Sequence, residues 1–599
     1  MQIGAVGVGG TMMALVLAGT ALADAPATRG ETVLIDDATI FDATGREPFR
    51  GDVLIRNGRI VQVGANVRAP RGARVIDAQG RALLPGFIDV HTHWGPAGNP
   101  GALPAIATAY VRAGVTTVND FHQQPEAFAP RRAWLASIAA PHVRFVARMS
   151  TPGGHGTDWA DTNTTRWVAT PESARLAVRA LQPYRPDAIK AFADGWRYGA
   201  SPDNTSMNVE TLTALTDEAH RQGQRVLTHT VTVARGAEAG RAKVDVIAHS
   251  IQDRRIDAAT IAQIRAGGTF YAPTLAIYEP VKPGERAPDM TTPAQQRRLQ
   301  KYADAQYNVK ALHDAGVPVA LGTDAGIGGT KHGFSTLREM ELLVEAGLSP
   351  RAALLAGTAN SARALGIADD RGTIEAGKRA DLILIDGTPW ARIADVHKVD
   401  RVFIDGRLVH GPGIALPAGN SATALPPALA PALIDDFERT DGRSSLDTLR
   451  LDLMDYGTER SLVVANRIPR GSNGHALMLA ARMAAKEAPF AGVLVPLRRG
   501  SVQPVDARAF TGIELDLRGS GEHRVVVNTL AGSWEAQVAA TADWTRVRVP
   551  FATLRPAGRD KPTTWRGDDL LQVGIELHKP AGESVWSTID NLRFYSESD

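Results

Sequence analysis

Histidine and aspartate residues follow short apolar runs at several points of the chain, where they could bind metal ions. His91 and His93 end one such run, and residues two apart on a strand project to the same face, so both imidazoles can bind one ion. His229, His249 and Asp324 each follow a later apolar run. Four imidazoles and a carboxylate suit divalent transition metals, zinc first. The chain has no cysteine, so any such metal must be held by histidine and carboxylate.

A lysine lies inside a further apolar run, Ala188-Ile189-Lys190-Ala191-Phe192. An unpaired ammonium would be costly there, although the lysine could also be an ordinary surface or ion-paired residue. Each histidine could likewise be a satisfied polar residue at a strand end, and Asp324 could be a turn former before Ala325-Gly326. Six independent coincidences of this kind are hard to credit, which favours a shared site.

The elements that would position these residues alternate between Val- and Ile-rich runs and helix-like stretches from residue 83 to residue 370. Strands are predicted at 87–91, 115–120, 143–149, 187–192, 225–229, 244–249, 268–272 and 317–322. Eight strands alternating with helices is the count for an α/β fold of the (β/α)8 TIM-barrel type, whose active sites collect at the carboxyl ends of the strands. A doubly wound open sheet is the alternative. Thr336 and Glu339 predict a capping box before a helix over 337–346.

Strand-rich segments flank the predicted barrel at residues 31–82 and 371–412, and Asn57-Gly58 between two apolar runs predicts a hairpin in the first. We expect the two segments to form one small β-sandwich domain. Residues 413–433 are Pro-rich and predict a stiff linker. Residues 434–599 read as apolar runs separated by Gly, Asp and Pro, which predicts a separate C-terminal all-β sandwich.

Charge and the start of the chain limit the class of protein. The 599 residues carry 66 Lys and Arg against 64 Asp and Glu, a formal charge of +2, which disfavours a nucleic-acid partner. Residues 3–23 are apolar and small and end in Ala21-Leu22-Ala23, so we expect residues 1–23 to be a signal peptide and the product to be periplasmic or secreted. A membrane anchor is the alternative, since no Lys or Arg precedes the apolar segment. No later stretch is apolar for long enough to span a membrane, so no span is expected after signal removal.

The runs that carry the candidate ligands resemble those of the amidohydrolase superfamily. Leu84-Pro85-Gly86-Phe87-Ile88-Asp89-Val90-His91-Thr92-His93 is similar to the metal-binding first strand, Leu321-Gly322-Thr323-Asp324-Ala325 to the eighth, and Gly372-Thr373-Ile374-Glu375-Ala376-Gly377-Lys378-Arg379-Ala380-Asp381-Leu382 to the return into the small β-domain. The similarity covers about residues 31–410. Lys190 makes the chain similar to the binuclear branch, in which a lysine carboxylated by CO2 bridges two metals. The resemblance therefore implies a CO2-derived carbamate on Lys190 between two divalent ions, most simply Zn2+, with these ligands: His91, His93 and Asp324 on one ion, and His229 and His249 on the other.

The resemblance further implies a metal-dependent hydrolase that uses a metal-bridged hydroxide to cleave an amide bond. Asp324 would orient the hydroxide, accept its proton and pass it to the leaving group. Thr151-Pro152-Gly153-Gly154-His155-Gly156 resembles a motif of prolidase-like and ochratoxinase-like carboxypeptidases, in which the histidine helps bind or polarise the substrate. His155 is therefore the first candidate outside the metal ligands, with an exposed glycine-rich turn as the alternative. His122 and Tyr198 are further candidates near the second and fourth strands.

The expected substrate is a small or peptide-like molecule with a scissile C–N bond, either an Xaa-Pro dipeptide or an N-acyl amino acid. A lactone, another ester or a phosphotriester would suit the same centre. A deaminase is disfavoured, because that branch is typically mononuclear and lacks a bridging lysine. The alternative from a different class is a non-catalytic binding protein with an inert barrel. A homo-oligomer is also compatible with the sequence.

The C-terminal segment resembles the complex I intermediate-associated, galactose-binding-like group. The resemblance rests on Ile434-Asp435-Asp436-Phe437-Glu438 and on Trp586-Ser587-Thr588-Ile589-Asp590-Asn591-Leu592. Exposed tryptophans could form a platform for a glycan or a protein partner, and the candidates are Trp534, Trp544 and Trp565. The alternative is that these tryptophans belong to the core of the sandwich.

Overall fold

The computed structural model describes residues 31–95, 103–157, 163–416, 425–455, 457, 459–472, 474–557 and 564–597. The predicted signal peptide at residues 1–23 lies outside the described residues, as do residues 417–424 of the predicted linker. Among the described helices, none combines the length and the apolar character needed to cross a membrane.

The chain enters the described region through five strands: β1 (Thr32–Ile40), β2 (Phe49–Arg56), β3 (Arg59–Gly64), β4 (Arg74–Asp77) and β5 (Ala82–Pro85). Strands β2 and β3 form the predicted hairpin around Asn57 and Gly58, whose φ angles are 53° and 76°. Both residues are left-handed, as a two-residue turn that matches the strand twist requires.

A ring of parallel strands with surrounding helices follows. The strands are β6 (Phe87–Thr92), β7 (Val115–Asp120), β8 (His142–Ser150), β9 (Thr165–Trp167), β10 (Ala188–Phe192), β11 (Arg225–His229), β12 (Val246–Ala248) and β13 (Phe270–Ala272). They pair in the order β13-β12-β11-β10-β8-β7-β6, with β9 beside β8. The helices are α1 (Leu103–Arg112), α2 (Phe128–Leu135), α3 (Pro171–Leu181), α4 (Val209–Arg221), α5 (Val233–Arg241), α6 (Ala258–Ala266), α7 (Leu275–Tyr278), α8 (Pro293–Asp314), α9 (Phe334–Glu345), α10 (Pro350–Leu355) and α11 (Ser361–Ala364).

The segment predicted as the eighth strand closes this ring without forming a regular ladder. It bridges β13 through Tyr271 and Val319 and β6 through Thr92 and Ala325, both in parallel. The Val90 N–H donates to the Leu321 carbonyl at 2.8 Å. Pro318 lies in this segment and has no N–H to donate, which interrupts the pairing. The predicted TIM barrel is confirmed, with seven regular strands in the described residues and one irregular closing segment.

The interior of the barrel is filled by alternate residues of its strands, among them Ile88, Val146, Ala188, Leu227 and Ala320. Because side chains alternate along a strand, residues two positions further on point to the same side. Lys190 and His229 therefore follow the interior positions of β10 and β11 and lie at the carboxyl ends of their strands.

Three later strands return to the first sheet: β14 (Leu382–Ile385), β15 (Val399–Ile404) and β16 (Arg407–His410). β14 pairs antiparallel with β5, which gives the order β16-β15-β14-β5-β1-β2-β3 with β4 beside β1. Both flanks of the barrel therefore build one β-domain, as expected. Its core contains Ile35, Ile55, Leu83 and Phe403.

The C-terminal region is a sandwich of an eight-stranded and a six-stranded sheet, counted over the described residues. Its strands are β17 (Ala428–Leu429), β18 (Leu433–Asp435), β19 (Leu451–Met454), β20 (Leu462–Arg470), β21 (Gly474–Arg482), β22 (Phe490–Pro496), β23 (Val505–Asp506), β24 (Gly512–Gly519), β25 (Gly521–Thr529), β26 (Ser533–Ala540), β27 (Thr545–Pro550), β28 (Arg555–Pro556), β29 (Leu570–His578) and β30 (Ser584–Tyr595). The predicted all-β sandwich is confirmed, whereas its galactose-binding-like assignment stays a prediction.

The three candidate tryptophans, Trp534, Trp544 and Trp565, do not form an exposed platform. Trp534 is buried and its ring meets that of Trp565 edge-on at 5.4 Å, so the expectation of an exposed Trp534 is wrong and the core alternative is right. The guanidinium of Arg470 lies 3.9 Å from the ring centre of Trp544. Alternation along the strand decides the case of Trp534, whose side chain falls on the inner face of the sheet.

The sandwich docks on the barrel through a buried carboxylate. Glu126 pairs with Arg443 and accepts the N–H of Leu449 at 2.8 Å. A Cβ atom added to Gly500 would overlap the backbone of Ala127, so only glycine permits this close approach. The two domains therefore meet through a specific, tightly packed contact.

The predicted capping box is wrong. Helix α9 begins at Phe334 with Gly333 as its N-cap, so Thr336 and Glu339 lie inside the helix. Both side chains are buried and hydrogen-bond to residues outside the helix, which the pattern of a Thr followed three residues later by Glu does not reveal. Their partners belong to the site described next.

Candidate metal centre

The carboxyl end of β6 and the closing segment bring three potential ligands together. The Nε2 atoms of His91 and His93 lie 3.3 and 2.9 Å from Oδ1 of Asp324. Ligand atoms of the three residues all lie within 4.8 Å of one another, and all three side chains are buried or nearly so. The predicted first ion site is thus assembled geometrically.

The remaining predicted ligands border the same space. The ring of His249 lies 4.6 Å from that of His91 and 4.5 Å from that of His229, measured between centroids. The Lys190 Nζ lies 3.5 Å from Nε2 of His249. All six residues that the resemblance implies as ligands therefore surround one point at the carboxyl ends of the strands.

Electrostatics favour neutral imidazoles here. Burial, then the charge of Lys190 and neighbouring histidines, holds the pKa of His91 and of His249 well below the ordinary value. Burial, then His155 and His249, does the same to the pKa of His229. Burial also lowers the pKa of Lys190 to about 7, although Asp324 opposes this shift. Neutral imidazoles carry lone pairs that suit divalent transition metals, so this donor set fits the implied ions.

A buried carboxylate links His91 to the segment that carries Asp324. Asp89 accepts the backbone N–H of His91 at 3.2 Å and the hydroxyls of Thr323 at 2.7 Å and Thr336 at 2.8 Å. Burial raises the pKa of Asp89 to about 7 in spite of these hydrogen bonds. The residue ties β6 to the closing segment and to α9, which sets the position of His91 relative to Asp324.

A second carboxylate supports His249. Glu339 accepts the N–H groups of Leu275 and Ala276, each at 2.8 Å, and burial raises its pKa to about 8. These bonds hold the start of α7 next to Thr274, whose hydroxyl lies 3.2 Å from Nδ1 of His249. Partners of this kind orient a histidine ligand.

The backbone within and beside the ligand set is left-handed at His249, Thr274 and Asp324, none of which is glycine. The φ angles are 79° at His249, 47° at Thr274 and 60° at Asp324. L-residues adopt this region at a cost of about 1–2 kcal/mol each. Because such conformations cluster at functional sites, their position next to the ligand set supports a functional role.

The three candidates outside the ligand set also face this space. The ring of His155 lies 4.3 Å from that of His229, Nδ1 of His122 lies 3.3 Å from Nδ1 of His93, and the hydroxyl of Tyr198 lies 2.9 Å from that of Tyr278. All three candidates line one cavity with the predicted ligands.

That cavity has a volume of about 940 Å³ and contains residues that sequence reasoning missed. Arg148 is buried in the apolar run of β8, the same signal that identified Lys190, and could have been found in the same way. Tyr278 gave no such signal. The C-terminal sandwich also forms part of the cavity wall, through strands β19, β22, β25, β26 and β29. No sequence signal indicated this contribution.

The model of the amidohydrolase family matches residues 82–409. This range is more than half of the chain and contains every predicted metal ligand. The chain belongs to the amidohydrolase family. The resemblance seen in the strand motifs is therefore confirmed, and the family uses such clusters to bind metal.

Known relatives match parts of this chain. An imidazolonepropionase of Caldanaerobacter subterraneus is 24% identical in an alignment of 426 positions, which covers 60% of this chain and 92% of the relative. An N-acyl-D-aspartate deacylase of Alcaligenes xylosoxydans is 43% identical over 99 residues, but these span only 18% of its length and 16% of this chain. The crystal structure of an Xaa-Pro dipeptidase with methionine in its active site is 25% identical, with a TM-score of 0.55. The structural match covers 64% of this chain and the whole of the dipeptidase chain.

A second cluster with metal-like composition lies at the opposite end of the barrel strands. Ligand atoms of His142, Asp381 and Asp405 also lie within 4.8 Å of one another. Two arginines approach this cluster: Arg371 lies 3.5 Å from Asp381, and Arg379 lies 2.6 Å from Asp405. Guanidinium groups already neutralise these carboxylates, so the cluster is a charge network between barrel and β-domain.

Proposed function

We propose that the protein is an exported zinc-dependent hydrolase that cleaves the C–N bond of a peptide-like amide. The observation that carries the proposal is the convergence of six residues in one cavity at the carboxyl ends of the barrel strands. These residues are His91, His93, Lys190, His229, His249 and Asp324. Two divalent ions held by them would lower the pKa of a shared water and polarise the scissile carbonyl.

The chain's own groups then divide the work. The Asp324 carboxylate orients the attacking water, accepts its proton and delivers it to the leaving amine nitrogen, so that water and amide give a carboxylate and an amine. His155, which lies against His229, holds the substrate carbonyl oxygen by a hydrogen bond. The neutral amine of Lys190 would add CO2 and release one proton to give a carbamate, which would help to hold the two ions.

Among the possible amide substrates, the solved structures favour those of a prolidase. The Xaa-Pro dipeptidase shares the barrel and its flanking domain at 25% identity.

The test is amine release by zinc-loaded protein from a panel of Xaa-Pro dipeptides and N-acyl amino acids, with chelator-treated protein as control. We expect turnover that depends on zinc. If the protein held two ions per chain and cleaved lactones or other esters but no member of the panel, the proposed scissile bond would be an ester instead of an amide. Absence of bound metal after loading with zinc and bicarbonate would overturn the hydrolase proposal.

Export is proposed from the first 23 residues alone. The mature protein is expected to begin at Asp24 and to be recovered from the periplasm or the medium. N-terminal sequencing of the product, together with cell fractionation, tests this expectation. A product that retains Met1 and stays with the membrane would favour the anchor alternative.

A further inference from the structure

The cavity at the metal centre is built from two domains. The barrel provides the predicted ligands, and the C-terminal sandwich provides the facing wall, which includes Leu451, Leu494, Asn528, Ser533, Leu571 and Gln572. The buried Glu126 fixes this wall over the barrel through Arg443 and the Leu449 N–H. A substrate that extends from the metal centre across the cavity would therefore reach the C-terminal sandwich as well.

Uncharged polar groups of this wall form a connected chain. The Ser533 hydroxyl donates to Oδ1 of Asn528 at 2.7 Å, Nδ2 of Asn528 donates to Oε1 of Gln572 at 2.8 Å, and Nε2 of Gln572 donates to Oγ of Ser501 at 2.9 Å. Each amide carries two N–H donors and two acceptor lone pairs, so these bonds use only part of its capacity. The network holds the two amides in place and leaves donors and acceptors for a ligand.

The surroundings of this network indicate what it would bind. Leu451, Leu494 and Leu571 border the cavity on the same domain and suit apolar side chains. The fitting ligand is a neutral chain with amide groups and apolar substituents, which is the chemistry of a peptide.

The size of the cavity agrees with a long ligand. Its volume of about 940 Å³ lies near the upper end of the range of about 300–1,000 Å³ for small-molecule sites. A dipeptide at the metal centre would occupy only the barrel side. The family model ends at residue 409, and the dipeptidase structure is covered completely by 64% of this chain, so the polar wall is an addition to the family's common part.

We propose that the C-terminal sandwich forms a substrate subsite, in which Asn528 and Gln572 bind a backbone amide on the acyl side of the scissile bond and so favour peptides longer than two residues. This inference rests on the proposed hydrolase function for the identity of the ligand. Asn528 and Gln572 are specificity residues here and take no part in bond cleavage.

The kinetic test compares each dipeptide that is turned over with the same dipeptide extended on its acyl side by acetyl-alanine. We expect Gln572→Leu to lower kcat/KM for the extended substrate about 10-fold, mainly through KM, and to leave the dipeptide unchanged. Gln537→Leu is the matched control, because Gln537 lies on the same sheet but is exposed and outside the cavity. Equal effects of Gln572→Leu on both substrates would overturn the subsite.

A binding test needs no turnover. The chain contains no cysteine, so Ser533→Cys introduces a single thiol into the cavity wall, and Ser584→Cys introduces an exposed one as control. We expect an extended peptide with a non-cleavable C–N isostere to slow maleimide labelling of the first thiol only. Protection without turnover of any amide would support the subsite and overturn the hydrolase function. Zinc-dependent turnover of dipeptides without protection of the Ser533→Cys thiol would support the hydrolase function and overturn the subsite.

Discussion

Two histidine–carboxylate clusters of similar composition lie at opposite ends of the barrel strands, and only one of them fits a metal centre. His91, His93 and Asp324 are joined by two more imidazoles and a buried lysine around a cavity. His142, Asp381 and Asp405 are joined by Arg371 and Arg379, which already neutralise the carboxylates. The comparison shows that the neighbouring charges, rather than the three closest donors, distinguish a metal site from a structural ion-pair network.

The largest effect is expected at the lysine that sets the first cluster apart. Lys190→Ala removes the proposed bridge and should lower kcat/KM by about 1000-fold, the upper end of the loss that follows removal of one electrostatic group from an active site. The bound metal, measured by elemental analysis, should fall from two ions per chain to one or none. If the variant retained two ions and full activity, Lys190 would not be the residue that bridges them. His142→Ala in the second cluster should keep both ions.

The second prediction concerns the ion-pair network. Asp381→Asn should lower the free energy of unfolding at pH 7 by about 3 kcal/mol, because it removes one partner of a buried pair. Burial alone would raise the pKa of Asp381, but His142 and Arg371 outweigh it and leave the pKa below its ordinary value. A pKa that is lower in the folded state means stability that is present above about pH 4 and lost as the pH falls further.

Urea unfolding at pH 7 and at pH 3 tests this prediction. The variant and the wild-type protein should differ fully at pH 7 and by a smaller amount at pH 3. The exposed Asp386→Asn is the matched control and should behave as wild type at both values. A difference of equal size at both pH values would show that packing, and not charge, connects the two domains here.

Zinc should stabilise the folded protein through one cluster only. At a zinc concentration 100 times the dissociation constant, linkage gives about 2.7 kcal/mol of stabilisation for one site. Thermal unfolding should show the full shift for the wild type and for His142→Ala, and a smaller shift for His91→Ala, which lacks a ligand of one of the two proposed ions. If His142→Ala abolished the shift instead, the interpretation of the two clusters would have to be exchanged.

The smallest effect is expected at the carboxylate that supports His249 from outside the ligand set. Glu339→Gln keeps the size of the side chain but loses one acceptor for the N–H groups of Leu275 and Ala276. Activity should fall about 10-fold, as for other partners of metal ligands, with zinc affinity falling in parallel. Glu345→Gln, on the exposed side of the same helix, should change neither. A fall in thermal stability with unchanged zinc affinity would make Glu339 purely structural.

The barrel and its ligand set could be predicted because each strand signals itself locally. A short apolar run that ends in His, as at His229, or that encloses a Lys, as at Lys190, combines a strand and a site residue in one pattern. The closing segment around Pro318 and Asp324 was less regular than predicted, since pairing within it depends on two neighbours distant in sequence.

Other features could not be predicted, because they depend on contacts between distant segments. Thr336 and Glu339 have the spacing of a capping box, but they are buried under the site and bind Asp89 and the start of α7 instead. The wall formed by Asn528 and Gln572 has no motif at all. This wall faces the metal centre because the C-terminal sandwich docks on the barrel at Glu126. No local sequence pattern encodes that contact.

The left-handed backbone at His249, Thr274 and Asp324 has a consequence for evolution of the chain. Glycine would relieve the conformational strain at each of these positions, so substitutions there should raise the thermal stability of the metal-free protein while removing or displacing a functional group. A laboratory selection for heat resistance alone would therefore favour inactive variants at these three positions. Only selection that also demands the proposed turnover would keep the three residues.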